Sequence, residues 1–176
     1  MKNLILIPVL LVIVGGCSTI DVDTDYDREA DFSGYRTFDW APADMMKIHK
    51  GYSELTDRRI RGAITEALAA EGIRRSPTNP GLLVAFHTGV QERTEYRDAG
   101  FGAGYGRGPY HVGLNRSRVE EHRYLEGTLM VDLVDAEKNE LVWRGRATGV
   151  VGDYEHQESR IREAVTKIFE RYPPEK

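Results

Sequence analysis

The sequence has one cysteine, Cys17, among 176 residues. That excludes an internal disulfide framework, because such frameworks need pairs. A basic excess is also missing: the formal net charge is −4 at pH 7. Nucleic-acid binding is not expected, since it calls for a basic stripe. The apolar run Leu4 to Val14 is broken only by Pro8. It is too short to span a bilayer comfortably, which takes about 20 apolar residues. No G-x-S-x-G elbow, H-E-x-x-H pair or phosphate-binding loop occurs, so no familiar catalytic or metal signature stands in one segment. Long low-complexity tracts and internal repeats are lacking too.

What is present at the start reads as an export signal. Lys2 supplies the positive end, Leu4 to Val14 the apolar stretch, and Gly15-Gly16 the small residues before a cut at Gly16–Cys17. The alternative is a short uncleaved anchor. The segment up to Cys17 resembles a bacterial lipobox, with Val14 where Leu is usual. That resemblance implies a diacylglycerol thioether on Cys17 and an amino-terminal acyl chain such as palmitate. Several chains give stable anchoring where one gives marginal binding. Ser18 follows the cysteine where Asp commonly signals inner-membrane retention. In a Gram-negative host this implies the periplasmic side of the outer membrane. Expected boundaries are a signal peptide at 1–16, a lipidated tether or short first strand at 17–30, and one domain at 31–176.

Along the chain, Ile20 to Asp25 reads as either a short strand with its aspartates outward or a solvated tether. Ser33-Gly34 marks a turn, and Tyr35 to Trp40 alternates as a strand ended by Pro42. Its aromatic residues suit core packing better than a ligand wall. Ile60, Ala63, Ile64, Ala67 and Leu68 form one apolar stripe, predicting a helix over 53–71. Ser53 or Thr56 can cap it, and Gly72 can end it with Ile73 folding back on Leu68.

Leu82 to Val90 predicts a central strand, because both faces begin apolar. His87 within it has no second ligand at metal-binding spacing, so a packed or hydrogen-bonded histidine is expected. Residues 98–115 interleave six glycines with Phe101, Tyr105, Tyr110 and His111. They read as a loop between strands, or as an adaptable contact surface carried by Phe101, Tyr105 and Tyr110.

Residues 117–135 return to strand, with Leu129, Val131 and Leu133 on one face. Glu120, Glu121 and His122 are consecutive and so do not cluster on one side of a strand. Asp135 to Asn139 reads as a hairpin connection. On the return strand Leu141, Trp143, Gly145, Ala147 and Gly149 should share a face whose small residues let a helix lie close. A second amphipathic helix is expected over 155–172, stopped by Pro173-Pro174.

Three segments resemble the motifs of a bacterial lipoprotein family known as domain of unknown function 4136. They are Phe32 to Trp40, Asn79 to Val84, and Gly127 to Asp135 with Leu141 to Gly145. The resemblance spans most of residues 20–172 and implies an envelope location. It implies no activity, because that family brings no established catalytic residues.

The expected fold is α+β, a two-layer sandwich with a mainly antiparallel sheet and two helices on one face. The expected role is a lipid-anchored envelope module that binds an envelope protein or glycan, without cofactor, metal or nucleic acid. Two alternatives stand beside it. One is a carrier of a small apolar ligand in a cavity between sheet and helices. The other is an enzyme acting on envelope lipid or glycan, in which His87, His122 or Asp132 would meet catalytic partners.

Overall fold

The computed structural model describes residues 20–48, 52–98, 101–103, 114–116, 119–151 and 156–174. The order is β1 (Asp21–Tyr26), β2 (Thr37–Trp40), α1 (Glu54–Ala70), β3 (Arg74–Arg75), β4 (Leu82–Asp98), β5 (Phe101–Ala103), β6 (Leu114–Arg116), β7 (Val119–Asp135), β8 (Glu140–Val150) and α2 (Gln157–Phe169). Cys17 and the signal segment lie outside the described residues, as do Tyr105 and Tyr110.

Helix α1 begins and ends where local chemistry dictates. The Ser53 side chain accepts from the Thr56 amide, satisfying one of the amides that the first helical turn leaves unpaired. Gly72 closes the helix at φ 78°, which only glycine adopts cheaply. The Ile73 amide then donates back to the Leu68 carbonyl at 2.9 Å. Both side chains are buried, completing a Schellman ending. Helix α2 is shorter than expected and ends at Phe169, ahead of the prolines. Tyr172 beyond it still packs in the core, 5.4 Å from the Trp143 ring.

Six strands form one sheet in the order β1-β8-β7-β4-β2-β3. β1 pairs with β8 from Asp21 opposite Thr148 to Tyr26 opposite Trp143. The segment before Asp31 therefore contains a strand, with Asp21, Asp23 and Asp25 exposed. β2 runs parallel to β3 and β4. Parallel neighbours need a crossover, and α1 lies in the one between β2 and β4. The remaining pairings are antiparallel, so the fold is an open, mostly antiparallel α+β sandwich.

Both helices press apolar stripes onto the same sheet face. Ile60, Ile64 and Leu68 from α1 and Val165, Ile168 and Phe169 from α2 meet Leu82, Val84, Phe86, Val131, Leu133 and Trp143. Gly145 carries the closest approach: a Cβ there would stand 2.5 Å from Ile168 Cγ2. The expectation of small residues under a helix thus holds at Gly145 and at buried Ala147. One placement is corrected. A register shift falls between Leu133 and Val134, leaving Leu141 exposed while Val142 is buried. A bulge adds one residue to one strand and breaks the alternation that placed Leu141 inward.

β4 also runs well past Val90. Its ladder with β7 continues to Asp98 opposite Val119. Within the stretch expected to be loop, β5 and β6 pair from Phe101 opposite Arg116 to Ala103 opposite Leu114.

Candidate functional site

His87 points to the sheet face away from the helices, as its alternation with Phe86 requires. Its Nε2 lies 3.1 Å from Asp132 Oδ2. The Lys47 backbone amide donates to its Nδ1 at 2.9 Å. An amide donor at Nδ1 places the ring proton on Nε2, aimed at Asp132. Asp132 is buried and also receives two bonds from Arg144, at 2.7 and 2.6 Å. Hydrogen bonding to Asp132 pushes the Arg144 guanidinium further up. In this tautomer neither ring nitrogen of His87 has a free lone pair, so the ring is not placed to act as a base. It is a hydrogen-bonded histidine that ties the 43–48 segment to the sheet.

His122 does not join this network. It stands exposed on β7 opposite Glu95. Among the described residues, no three His, Cys, Asp or Glu side chains gather in a way that could hold a metal. The same sheet face carries the Asp23–Arg146 ion pair at 3.4 Å.

The apolar surface lies at the other layer, where the sheet runs out from under the helices. The rows Thr88–Leu129–Ala147 and Val90–Gly127–Gly149 cross three strands on the helix-facing side. They floor a groove of about 530 Å³, within the roughly 300–1,000 Å³ common for small-molecule sites. Thr56 and Ile60 of α1, with Tyr52 ahead of it, form one wall. Gln157, Arg160, Ile161 and Ala164 of α2 form the other, and Ile20 lies at the β1 edge.

Three local features shape it. Gly127 stands beside Val151: a Cβ there would be 2.9 Å from Val151 Cγ2. Burial pushes the Tyr52 hydroxyl well above its ordinary ionisation range, so that wall stays neutral. Arg160 turns a guanidinium N–H to the Val150 carbonyl at 3.1 Å. No carboxylate, histidine or cysteine among the described residues lines the groove. Val90, Leu125, Val150 and Val151 at its mouth are 37–49% exposed. Exposed aliphatic residues beside a concave apolar site are of the kind that interaction surfaces present. The arrangement can take up an apolar group; it offers no nucleophile with a base.

Of the residues expected to carry lipidation or a contact loop, only Phe101 falls among the described residues. Phe101 belongs to β5, and Tyr105 and Tyr110 lie outside the described residues, as do Gly16 and Cys17. A cavity between sheet and helices stood among the alternatives, but the residues that line this groove were not named. Its signal was the recurrence of Gly89-Val90, Gly127 and Gly149-Val150-Val151 at strand positions, which only the register unites.

Residues 22–174 match the model of a protein family described as Domain of unknown function (DUF4136). No curated protein matches the sequence. Among solved structures, the chain is similar to a PDZ domain protein from Parabacteroides distasonis, with a TM-score of 0.52 at 13% identity. That likeness covers 90% of this chain but only 37% of that one, and at this identity it speaks to the fold alone. The PelC dodecamer from Paraburkholderia phytofirmans is similar at a TM-score of 0.49 and 12% identity in two crystal forms. It covers 85% of this chain and 93% or 94% of that one.

Proposed function

The chain belongs to the family described as Domain of unknown function (DUF4136), and from that premise we propose that it serves as a lipid-anchored binding or assembly module of the cell envelope. In this reading Cys17 holds it on the outer membrane of a Gram-negative host, facing the periplasm. The module is non-enzymatic, and its partner is an envelope protein or glycan. The observation that carries the proposal is the apolar groove with its exposed aliphatic mouth. It offers such a module an apolar surface apart from the glycine-rich segment, which was read either as a loop or as a contact surface. Among the described residues no helix is long and apolar enough to cross a membrane, so membrane attachment in this reading falls to Cys17.

A second reading is favoured by the groove's volume: a carrier of a small apolar ligand, taken up between sheet and helices. An enzyme acting on envelope lipid or glycan gains less support. His87 and Asp132 do meet, but the Lys47 amide and Arg144 already occupy them.

Photocrosslinking in living cells tests the proposal, with the probe at Leu125 on the groove mouth. Leu141 is the control, since it is 44% exposed at the opposite end of the sheet. One dominant adduct from Leu125 and none from Leu141 is expected. A protein or glycan adduct supports the module; a small apolar adduct supports the carrier. Identical diffuse adducts at both positions would remove the groove as a binding surface.

A further inference from the structure

We infer that the groove holds an acyl chain carried by Cys17 of the same molecule. The inference rests on the proposed lipid anchor and names what the groove receives from it. Its first support is reach. Ile20 lines the groove, and Cys17 stands three residues before it. Three residues span at most about 10 Å when extended. β1 is antiparallel to β8, with Asp21 opposite Thr148. The chain traced back from Asp21 to Ile20 therefore heads toward Val150 and the groove mouth, where Leu125 and Val151 are joined by a 2.8 Å backbone hydrogen bond.

The second support is the chemistry of the lining. An alkyl chain needs cover from water and no hydrogen bonds. The mouth offers Val90, Leu125, Val150 and Val151, all aliphatic and all left exposed by the protein's own packing. The floor offers Gly127 opposite Gly149, with the Val151 side chain lying over Gly127, so a slender chain there would run along aliphatic surface. A bulky folded partner would not reach that depth, and a cationic ligand would find no carboxylate among the described lining residues to pair with.

The third support is anchorage. A lipidated cysteine of the kind expected bears a diacylglycerol and an amino-terminal acyl chain. Stable membrane attachment takes two chains. One chain can therefore occupy the groove while the diacylglycerol stays in the bilayer. The domain is then seated on the membrane at the β1 end, with the groove mouth toward the lipid.

The test uses the full chain in cells fed a diazirine-bearing fatty acid. After irradiation the protein is purified from membranes, and its intact mass first reads whether Cys17 is lipidated. Peptide mapping then reads where the photoreactive chain has reacted. The expected product joins the Cys17 peptide to peptides containing 125–129, 147–151 or 160–164. Ala164→Phe, which fills the groove from α2, should lower that product several-fold while leaving the lipidated mass unchanged. Leu125→Ser, at an exposed position, serves the same purpose if Ala164→Phe fails to fold. A lipidated Cys17 whose chain reacts only with bulk phospholipid would overturn the inference and leave the anchor standing. So would a phospholipid adduct in the groove without a bridge to Cys17, which would assign the site to membrane lipid. An intact mass without lipid would overturn the anchor itself, and the inference with it.

Discussion

The Tyr35 hydroxyl donates to Asp135 Oδ2 at 2.8 Å, joining residues 100 positions apart. The other carboxylate oxygen accepts the amides of Glu137 and Lys138, each at 2.9 Å. One buried carboxylate thus binds the turn after β7 to the segment before β2, and the Ala136 amide adds a bond to the Gly81 carbonyl. Removing the phenol hydroxyl with Tyr35→Phe should cost about 1.5–3 kcal/mol, the usual range for a hydrogen bond to a charged group. Asp135→Ala also strands both turn amides and should cost more. Urea unfolding at neutral pH gives both values, and equal losses would contradict this division of labour.

Acid should act through the same carboxylate. The Lys138 amide above all, then the Tyr35 hydroxyl and the Glu137 amide, hold the Asp135 carboxyl below its usual range against the opposing effect of burial. An aspartate in the unfolded chain titrates near about 3.9. A depressed folded value gives stability that is present above that pH and is lost as pH falls through the folded value. Stability should therefore decline on acidification below about pH 4. Asp135→Asn should flatten that limb without erasing it, because the Arg75 hydrogen bond also lowers Asp39. Unfolding midpoints at several pH values between neutral and strongly acidic measure the difference.

At the alkaline end the group to watch is Tyr172. It is buried, and its hydroxyl finds no hydrogen-bond partner among the described residues. Desolvation pushes its ionisation up to about 12, above the usual value near about 10. A raised folded value means stability is lost as pH climbs between those two values. Tyr172→Phe should reduce the alkaline loss without abolishing it, because burial also raises Tyr35 and Tyr52. At neutral pH it should hold or raise the melting temperature, since an unsatisfied buried hydroxyl is itself destabilising. A clear fall in melting temperature would show that the hydroxyl has a partner after all.

Legibility in the sequence followed burial. Helix α1 could be read three ways, from the Ser53 cap, the stripe through Ile60 and Leu68, and the ending at Gly72. The turn at Asp135–Asn139 was readable because Asn139 tolerates the positive φ of 57° that it adopts. The outer half of β4 was not readable. Residues 91–96 are exposed on both faces, and a strand that buries neither face has no alternation to display. Leu141 misled because the bulge interrupts the period. His87 was readable as a hydrogen-bonded histidine, but nothing local named Asp132 and Arg144, which arrive from β7 and β8. The groove was harder still. Gly127 faces Gly149 only through the register of two strands, and the walls come from the first turns of two separate helices.

Gly145 gives a sharp packing test. A Cβ on it would lie 2.5 Å from both Ile168 Cγ2 and Trp143 Cη2. Trp143 and Ile168 are both fully buried, so neither can swing into solvent. Gly145→Ala should therefore cost about 1–3 kcal/mol through overpacking. Combined with Ile168→Ala, which removes that Cγ2, the loss should be less than the sum of the two single losses, as expected for residues in direct contact. Strict additivity in denaturant titrations would mean that helix α2 shifts freely over this strand.

The paired extension of β4 and β7 should behave as a separate unit. Val150 is the last β8 residue on the ladder, opposite Glu126, yet β4 and β7 continue paired to Asp98 and Val119. Beyond that point only two strands of this sheet remain among the described residues, and a two-stranded ribbon is marginal in water. At its root Gln91 and Arg93 both bond to Glu126, at 2.9 and 3.0 Å, which secures the ribbon at its base. Amides at 92–96 should exchange much faster than those at 83–86, in keeping with local opening of weakly packed segments. Replacing residues 94–123 with an Asn-Gly turn would join Arg93 to Tyr124, which already face each other, and such a turn suits a tight hairpin. The shortened protein should unfold at nearly the same temperature as the full one, because the core around Phe86, Leu133 and Trp143 is untouched. A drop of many degrees would instead make the ribbon part of the cooperative fold.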